Sequence, residues 1–189
     1  LNLRFDLNPY LEEVKSKIGE GASADFTASR GEYLTGLIMS RLLGYDFIDP
    51  AEIIFFDKKG RLDAEKTHRA TEERIAQHET AVIPGFYGTD AKGNVKTFSR
   101  GGSDITGAII ARGAHADIYE NWTDVSGLLM TDPTVVKQPK PIDTVTYREL
   151  RELAYMGAKV LHDEAIFPVR EAGIPVCIKN TNRPEDPGT

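Results

Sequence analysis

Ser99-Arg-Gly-Gly-Ser-Asp104 follows a β-like run, Val95–Phe98, and opens a helix-like one that begins at Ser103. A glycine loop feeding a helix start presents backbone N–H groups and the positive end of the helix dipole, a combination that favours an anion. Arg100 adds a planar fork suited to a carboxylate or phosphate, and Gly101 and Gly102 admit a ligand close to the backbone. The same residues also fit an ordinary glycine turn with Ser103 as N-cap.

Outward from this stretch, helix and strand patterns alternate, which predicts an α/β sandwich. Helices are expected over Pro9–Ile18, Arg30–Leu43 closed by Gly44, Ser103–Arg112, Tyr147–Tyr155 and Leu161–Ala172 closed by Gly173. Tyr33, Leu34, Leu37, Ile38 and Leu42 make the inward stripe of the second. Strands are expected at Ile53–Phe56, Ala81–Tyr87, Val95–Phe98, Ile118–Thr123 and Ile174–Ile178. Gly88-Thr-Asp-Ala-Lys-Gly-Asn94 reads as a hairpin loop, an antiparallel excursion on a mainly parallel sheet. Pro133 to Pro141 carries three prolines without periodicity and reads as an exposed loop.

The chain has 189 residues, 40% hydrophobic and 28% charged, enough for one sizeable core. A net charge of −6 argues against a nucleic-acid or anionic-membrane partner, because clustered Lys and Arg carry that binding. Cys177 is the single cysteine, so no internal disulfide or cysteine-based zinc cluster can form. It sits in an apolar run and reads as a buried strand residue. No run of about 18 apolar residues occurs and no signal pattern opens the chain, so a cytoplasmic setting is expected.

Three further segments accompany Arg100 to Asp104 in order and spacing: Ser29-Arg-Gly-Glu32, Trp122-Thr-Asp-Val-Ser-Gly-Leu-Leu-Met-Thr-Asp-Pro133 and Gly157-Ala-Lys-Val-Leu-His162. With the ending Pro184-Glu-Asp-Pro-Gly-Thr189, the set resembles the kinase domain of aspartate kinases, members of the amino acid kinase family. The resemblance implies a three-layer α/β/α sandwich with a mainly parallel open sheet. It implies transfer of the ATP γ-phosphoryl group to the side-chain carboxylate of L-aspartate, which opens lysine, threonine and methionine biosynthesis. ATP with magnesium bound through the nucleotide, and a homo-oligomer, are implied with it. Rivals are another amino acid kinase, acting on glutamate, acetylglutamate or UMP, and a non-catalytic binding module.

Site roles follow from that likeness. Ser29 and Glu32 have capping-box spacing, whereas the resemblance turns Glu32 toward the α-ammonium of aspartate. Arg100 clamps a carboxylate of the substrate with Ser103 beside it, a bidentate task that suits arginine better than lysine. Asp104, which could merely complement the helix dipole, corresponds to an aspartate that holds catalytic lysines around the transferring phosphoryl group. Thr123 and Asp124 close a strand at its carboxyl end, where ligands lie in open α/β sheets, and match an ATP-binding segment. Lys159 and Val160 match further ATP contacts, and Lys159 also takes a catalytic role. Leu129, Thr134 and Asp163 depart from the tyrosine, arginine and proline common in the family. Trp122 reads as a core residue, and His162 as a helix-start residue. The expected Lys-Phe-Gly-Gly loop of the family is not found. Residues 1–189 are therefore expected to be the C-terminal larger part of the catalytic domain, poor in turnover alone and without the regulatory ACT domains.

Overall fold

A computed structural model describes residues 5–131, 135–155 and 166–189. The elements run α1 (Asn8–Gly19), α2 (Ala24–Leu43), β1 (Asp46–Phe47), α3 (Pro50–Ile53), α4 (Ala64–Ile75), β2 (Ala81–Val82), β3 (Tyr87–Thr89) and β4 (Val95–Thr97). They continue α5 (Gly102–Gly113), β5 (Tyr119–Thr123), β6 (Leu128–Leu129), β7 (Pro141–Ile142), α6 (Tyr147–Tyr155), α7 (Phe167–Ala172) and β8 (Val176–Asn180). This is the α/β class expected from the alternating pattern.

Among the described residues the strands pair two by two. β1–β2 and β5–β8 are parallel, and β3–β4 is the antiparallel hairpin foreseen around residues 88–94. β6–β7 adds a second antiparallel pair, which takes in only Pro141, the last residue of the expected exposed loop. β2 and β5 are not paired with each other and flank a groove.

Helix α5 is the spine of the fold. Ala108 and Ala111 pack into one core cluster with Leu128, Leu150, Ile166, Val169, Ile174 and Ile178, while Ile109 joins a second with Ile48, Ile53, Ile54 and Phe56. A buried isoleucine, leucine or valine contributes about 1.5–3 kcal/mol and an alanine less, so α5 is held from two sides and its N-terminus is fixed with it.

Several local expectations change, each for a physical reason. The Ile53–Phe56 strand is displaced by α3, because Asp49 accepts from the Ala51 N–H at 2.9 Å and Pro50 starts a helical turn; Phe55 and Phe56 keep only isolated bridges. Ala81–Tyr87 divides into β2 and β3 at Pro84-Gly85, with Phe86 in the left-handed region at φ 63°. Helix α2 starts six residues before Arg30, capped by Ser23, which accepts from the Phe26 N–H at 3.1 Å. Ser29 therefore lies inside α2 and donates to the Phe26 carbonyl at 2.7 Å, so Ser29 and Glu32 form no capping box. That motif appears instead at Thr146 and Glu149: the Thr146 N–H and hydroxyl both donate to Glu149 Oε2, at 2.8 and 2.7 Å, and the Glu149 N–H returns to Thr146 Oγ1 at 3.2 Å.

Helix α4 was not foreseen. Its buried positions are Thr67 and Thr71, which carry no apolar stripe. Thr67 Oγ1 accepts from the Phe55 N–H at 3.0 Å, and Thr71 Oγ1 donates to the Thr67 carbonyl at 2.7 Å. Trp122 is not a core residue: it is 44% exposed, its Nε1–H donates to Glu120, and Lys179 lies over its ring. Cys177 is half-buried in β8. No helix among the described residues is long and apolar enough to cross a membrane.

Candidate functional site

The groove between β2 and β5 has a volume of about 720 Å³. Its walls are one face of α2 (Glu32, Thr35, Gly36, Met39), residues 81–85, the start of β5 with Ile118, and α5 from Ser103 to Ala111 with its C-cap Ala114. The floor is mostly apolar, while Glu32 and Ser103 place polar groups on the wall. Sequence reasoning named both residues, and they face the same space from different helices.

The α5 N-terminus opens beside them. Gly101 is its N-cap, in the left-handed conformation at φ 55°, and no side chain caps the helix. Ser103 is therefore in the first turn rather than at the N-cap position, and the first-turn N–H groups keep their capacity to meet an anion. A Cβ on Gly102 would stand 2.6 Å from that of Phe86, so the loop after β2 is packed directly beneath this end. Arg100 is exposed in the bend that precedes Gly101, and it makes no hydrogen bond or ion pair among the described residues. It does not line the groove.

Asp104 occupies the third position of α5 and is half-buried. Its Oδ1 accepts from Asn121 Nδ2 at 3.0 Å, the same amide nitrogen donates to Tyr119 Oη at 3.0 Å, and Tyr119 Oη donates to the Asp104 carbonyl at 3.3 Å. Burial raises the Tyr119 phenol above its ordinary range; the Asn121 hydrogen bond opposes the rise and the Asp104 charge adds to it, so the hydroxyl stays a neutral donor. Asn121 and Tyr119 were not singled out by sequence reasoning. The available signal was an asparagine within a run that otherwise reads as a strand.

Thr123 and Asp124 stand at the carboxyl end of β5, as expected. Thr123 Oγ1 donates to Asp124 Oδ1 at 3.2 Å, and the Thr123 carbonyl accepts from the N–H and hydroxyl of Thr181 at 2.8 and 2.6 Å. The loop beyond is tied to the chain's last residues: Ser126 Oγ donates to Asp186, and Asn180 Nδ2 and Arg183 Nη2 each donate to Ser126 Oγ at 2.9 Å. Leu129 is 39% exposed on β6. Lys159, Val160, His162, Asp163 and Thr134 lie outside the described residues, as does the start of the Leu161–Ala172 helix. A second concavity, of about 610 Å³, is lined by Lys17, Ser23, Asp25, Asp90 and Lys96 among others, and includes none of the residues singled out in the sequence.

Known proteins resemble this chain in sequence and fold. The chain is 40% identical over 183 residues to aspartokinase 3 of Bacillus subtilis, a match covering 95% of this chain and 38% of that protein. Its fold superposes on the crystal structure of Clostridium acetobutylicum aspartate kinase with a TM-score of 0.92 at 57% identity, covering 100% of this chain and 42% of the other. Escherichia coli aspartokinase III, solved in complex with aspartate and ADP, gives a TM-score of 0.84 at 28% identity over 99% of this chain and 47% of that one. A uridylate kinase from Archaeoglobus fulgidus, at 22% identity and a TM-score of 0.53, shares the fold alone. The chain thus spans about two fifths of the B. subtilis and C. acetobutylicum relatives. The sequence model of the amino acid kinase family matches residues 7–180, and the chain belongs to that family.

Proposed function

We propose that the chain carries the aspartate-binding part of an aspartate kinase and takes part in phosphoryl transfer from MgATP to the side-chain carboxylate of L-aspartate. The observation that carries this reading is the meeting of Glu32 and Ser103 in one groove beside the uncapped start of α5. An α-amino acid needs an anion for its ammonium and donors for its carboxylates; Glu32 supplies the first, Ser103 and the first-turn N–H groups the second, and Arg100, outside the groove and two residues before α5, is added by resemblance. The relative from E. coli that was solved with aspartate and ADP supports the same pair of ligands.

In this reading Thr123 and Asp124 hold the nucleotide at the carboxyl end of β5, with Lys159 and Val160 added by resemblance. Magnesium is assigned by resemblance to the ATP phosphates, where it would supply charge neutralisation. A carboxylate with a reference pKa of about 3.9 is ionised at neutral pH, so the acceptor needs no general base. A side-chain oxygen of the substrate attacks the γ-phosphorus, the bond to the β–γ bridging oxygen breaks, and ADP and 4-phospho-L-aspartate result. The chain's own residues align the two ligands and stabilise charge on the phosphoryl oxygens, with the catalytic roles given by resemblance to Asp104 and Lys159. Homo-oligomeric assembly belongs to the same reading; nucleic acid and membrane do not.

The test is trapping of the acyl phosphate by hydroxylamine, with the chain alone and with a Lys-Phe-Gly-Gly-bearing segment of a relative supplied in trans. Aspartyl hydroxamate formed in the mixture, and not from L-glutamate, supports the kinase reading. Persistent inactivity with retained aspartate binding favours a non-catalytic binding module.

A further inference from the structure

We propose that Asn121 and Tyr119 are positioning residues that hold the Asp104 carboxylate in one orientation and tie it to the nucleotide end of β5. The inference rests on the kinase reading for what Asp104 does, but its geometry stands independently. Asn121 is 8% exposed, a primary amide on a strand whose register partner on β8 is the buried Ile178. A buried amide must find partners, and this one finds two: Asp104 Oδ1 and Tyr119 Oη, each at 3.0 Å from Nδ2. The carboxylate accepts and cannot donate, which assigns the NH₂ group, not the amide oxygen, to the side facing Asp104.

Tyr119 closes the arrangement. Its hydroxyl donates to the Asp104 main-chain carbonyl at 3.3 Å, so the side chain and backbone of one aspartate are held by two residues of a single strand. The approach is possible because Gly107 has no side chain: a Cβ there would stand 2.5 Å from Tyr119 Oη. Asp104 Oδ2 has no donor among the described residues and is the oxygen left to meet a cationic group. Thr123 follows Asn121 by two positions on the same strand, so one rigid β5 spaces the candidate nucleotide contacts from Asp104. An exposed aspartate in the first turn of a helix would need none of this to complement the dipole. A carboxylate that must be aimed does need it, because positioning errors near 1 Å lower rates by up to about 100-fold.

The test uses the 189-residue chain, isotope-labelled at Asp and Asn, with Asn121→Leu, Tyr119→Phe and Asp104→Ala variants. In the parent, the Asp104 side-chain couplings report one rotamer, and the Asn121 side-chain amide is shifted and slow to exchange. Asn121→Leu averages the Asp104 couplings while the β5–β8 amide signals stay in place, and Asp104→Ala abolishes the Asn121 shift. Unchanged Asp104 couplings in a folded Asn121→Leu chain overturn the proposal. Should that variant fail to fold, Tyr119→Phe decides: a rise of about tenfold in Asn121 side-chain exchange supports the proposal, and no change overturns it. Where turnover is obtained in trans, Asn121→Leu lowers kcat by about tenfold and leaves KM for aspartate within about threefold, whereas a raised KM at constant kcat counts against positioning. A fixed Asp104 rotamer in a chain that binds neither aspartate nor nucleotide overturns the kinase reading and leaves the orienting geometry standing.

Discussion

Gly107 of α5 lies against Tyr119 of β5 so closely that a Cβ on the glycine would meet the tyrosine hydroxyl at 2.5 Å and ring carbons at 2.8 Å. Alanine at a helical position normally gains about 1 kcal/mol over glycine. Displacing a ring that is also bonded to Asn121 and Asp104 costs about 1–3 kcal/mol and outweighs that gain. Gly107→Ala should therefore lower stability by up to about 2 kcal/mol, read from urea unfolding. A variant as stable as the parent would show that the helix and strand can part without loss.

Gly31 gives the opposite case within α2. Nothing lies within 4 Å of a Cβ built there, and its φ is not positive. Gly31→Ala should raise stability by about 0.5–1 kcal/mol in the same measurement, and a loss would mean that this face of α2 is covered in solution.

Arg30 is 8% exposed, with its guanidinium carbon 4.5 Å from the ring centroids of both Phe26 and Tyr33 and 5.3 Å from that of Tyr87. Its Nε and Nη2 donate to Ser29 Oγ at 3.2 and 3.0 Å. Lysine keeps the charge but loses the flat face and the fork. Arg30→Lys should cost about 1–2 kcal/mol in urea unfolding; an unchanged midpoint would exclude a stabilising role for the aromatic surround.

The Glu149 carboxyl is held below the ordinary glutamate range, first by the Thr146 hydroxyl and then by the Thr146 N–H. A lowered carboxyl stabilises the fold above its unfolded-state value and loses that contribution as pH falls through the folded one. Below about pH 4.5 the amides of the first turn of α6 should therefore exchange faster as pH falls, after correction for intrinsic rates. Glu149→Gln keeps capping-box chemistry without the titration and should flatten that dependence; an equally steep profile in the variant would place its origin elsewhere.

Much of this architecture was legible in the chain because local chemistry agreed with tertiary structure. Gly44 and Gly173 stop α2 and α7 in the left-handed conformation, and the turn-forming residues 88–94 make a hairpin with Tyr87 opposite Thr97. What escaped was set by polar burial. Thr67 and Thr71 bury α4 through hydroxyl hydrogen bonds, and no apolar periodicity announces them. The Ser29–Glu32 spacing imitates a cap because Ser29 bonds backward inside a longer helix. At the candidate site, Glu32, Ser103 and the ends of α5 and β5 were named from motif likeness. Asn121 was not, since its value lies in a cross-element contact with Asp104 that spacing along one strand does not reveal.

Aspartate recognition is measured by calorimetric titration of the chain with L-aspartate, L-glutamate and UMP, with magnesium and an ATP analogue present and Arg100→Ala as control. Selective binding of L-aspartate that is lost in Arg100→Ala is the expected result, since the proposed reading gives the Arg100 guanidinium a bidentate contact with a substrate carboxylate. Binding of UMP or L-glutamate in place of aspartate, or aspartate binding indifferent to Arg100, would contradict it.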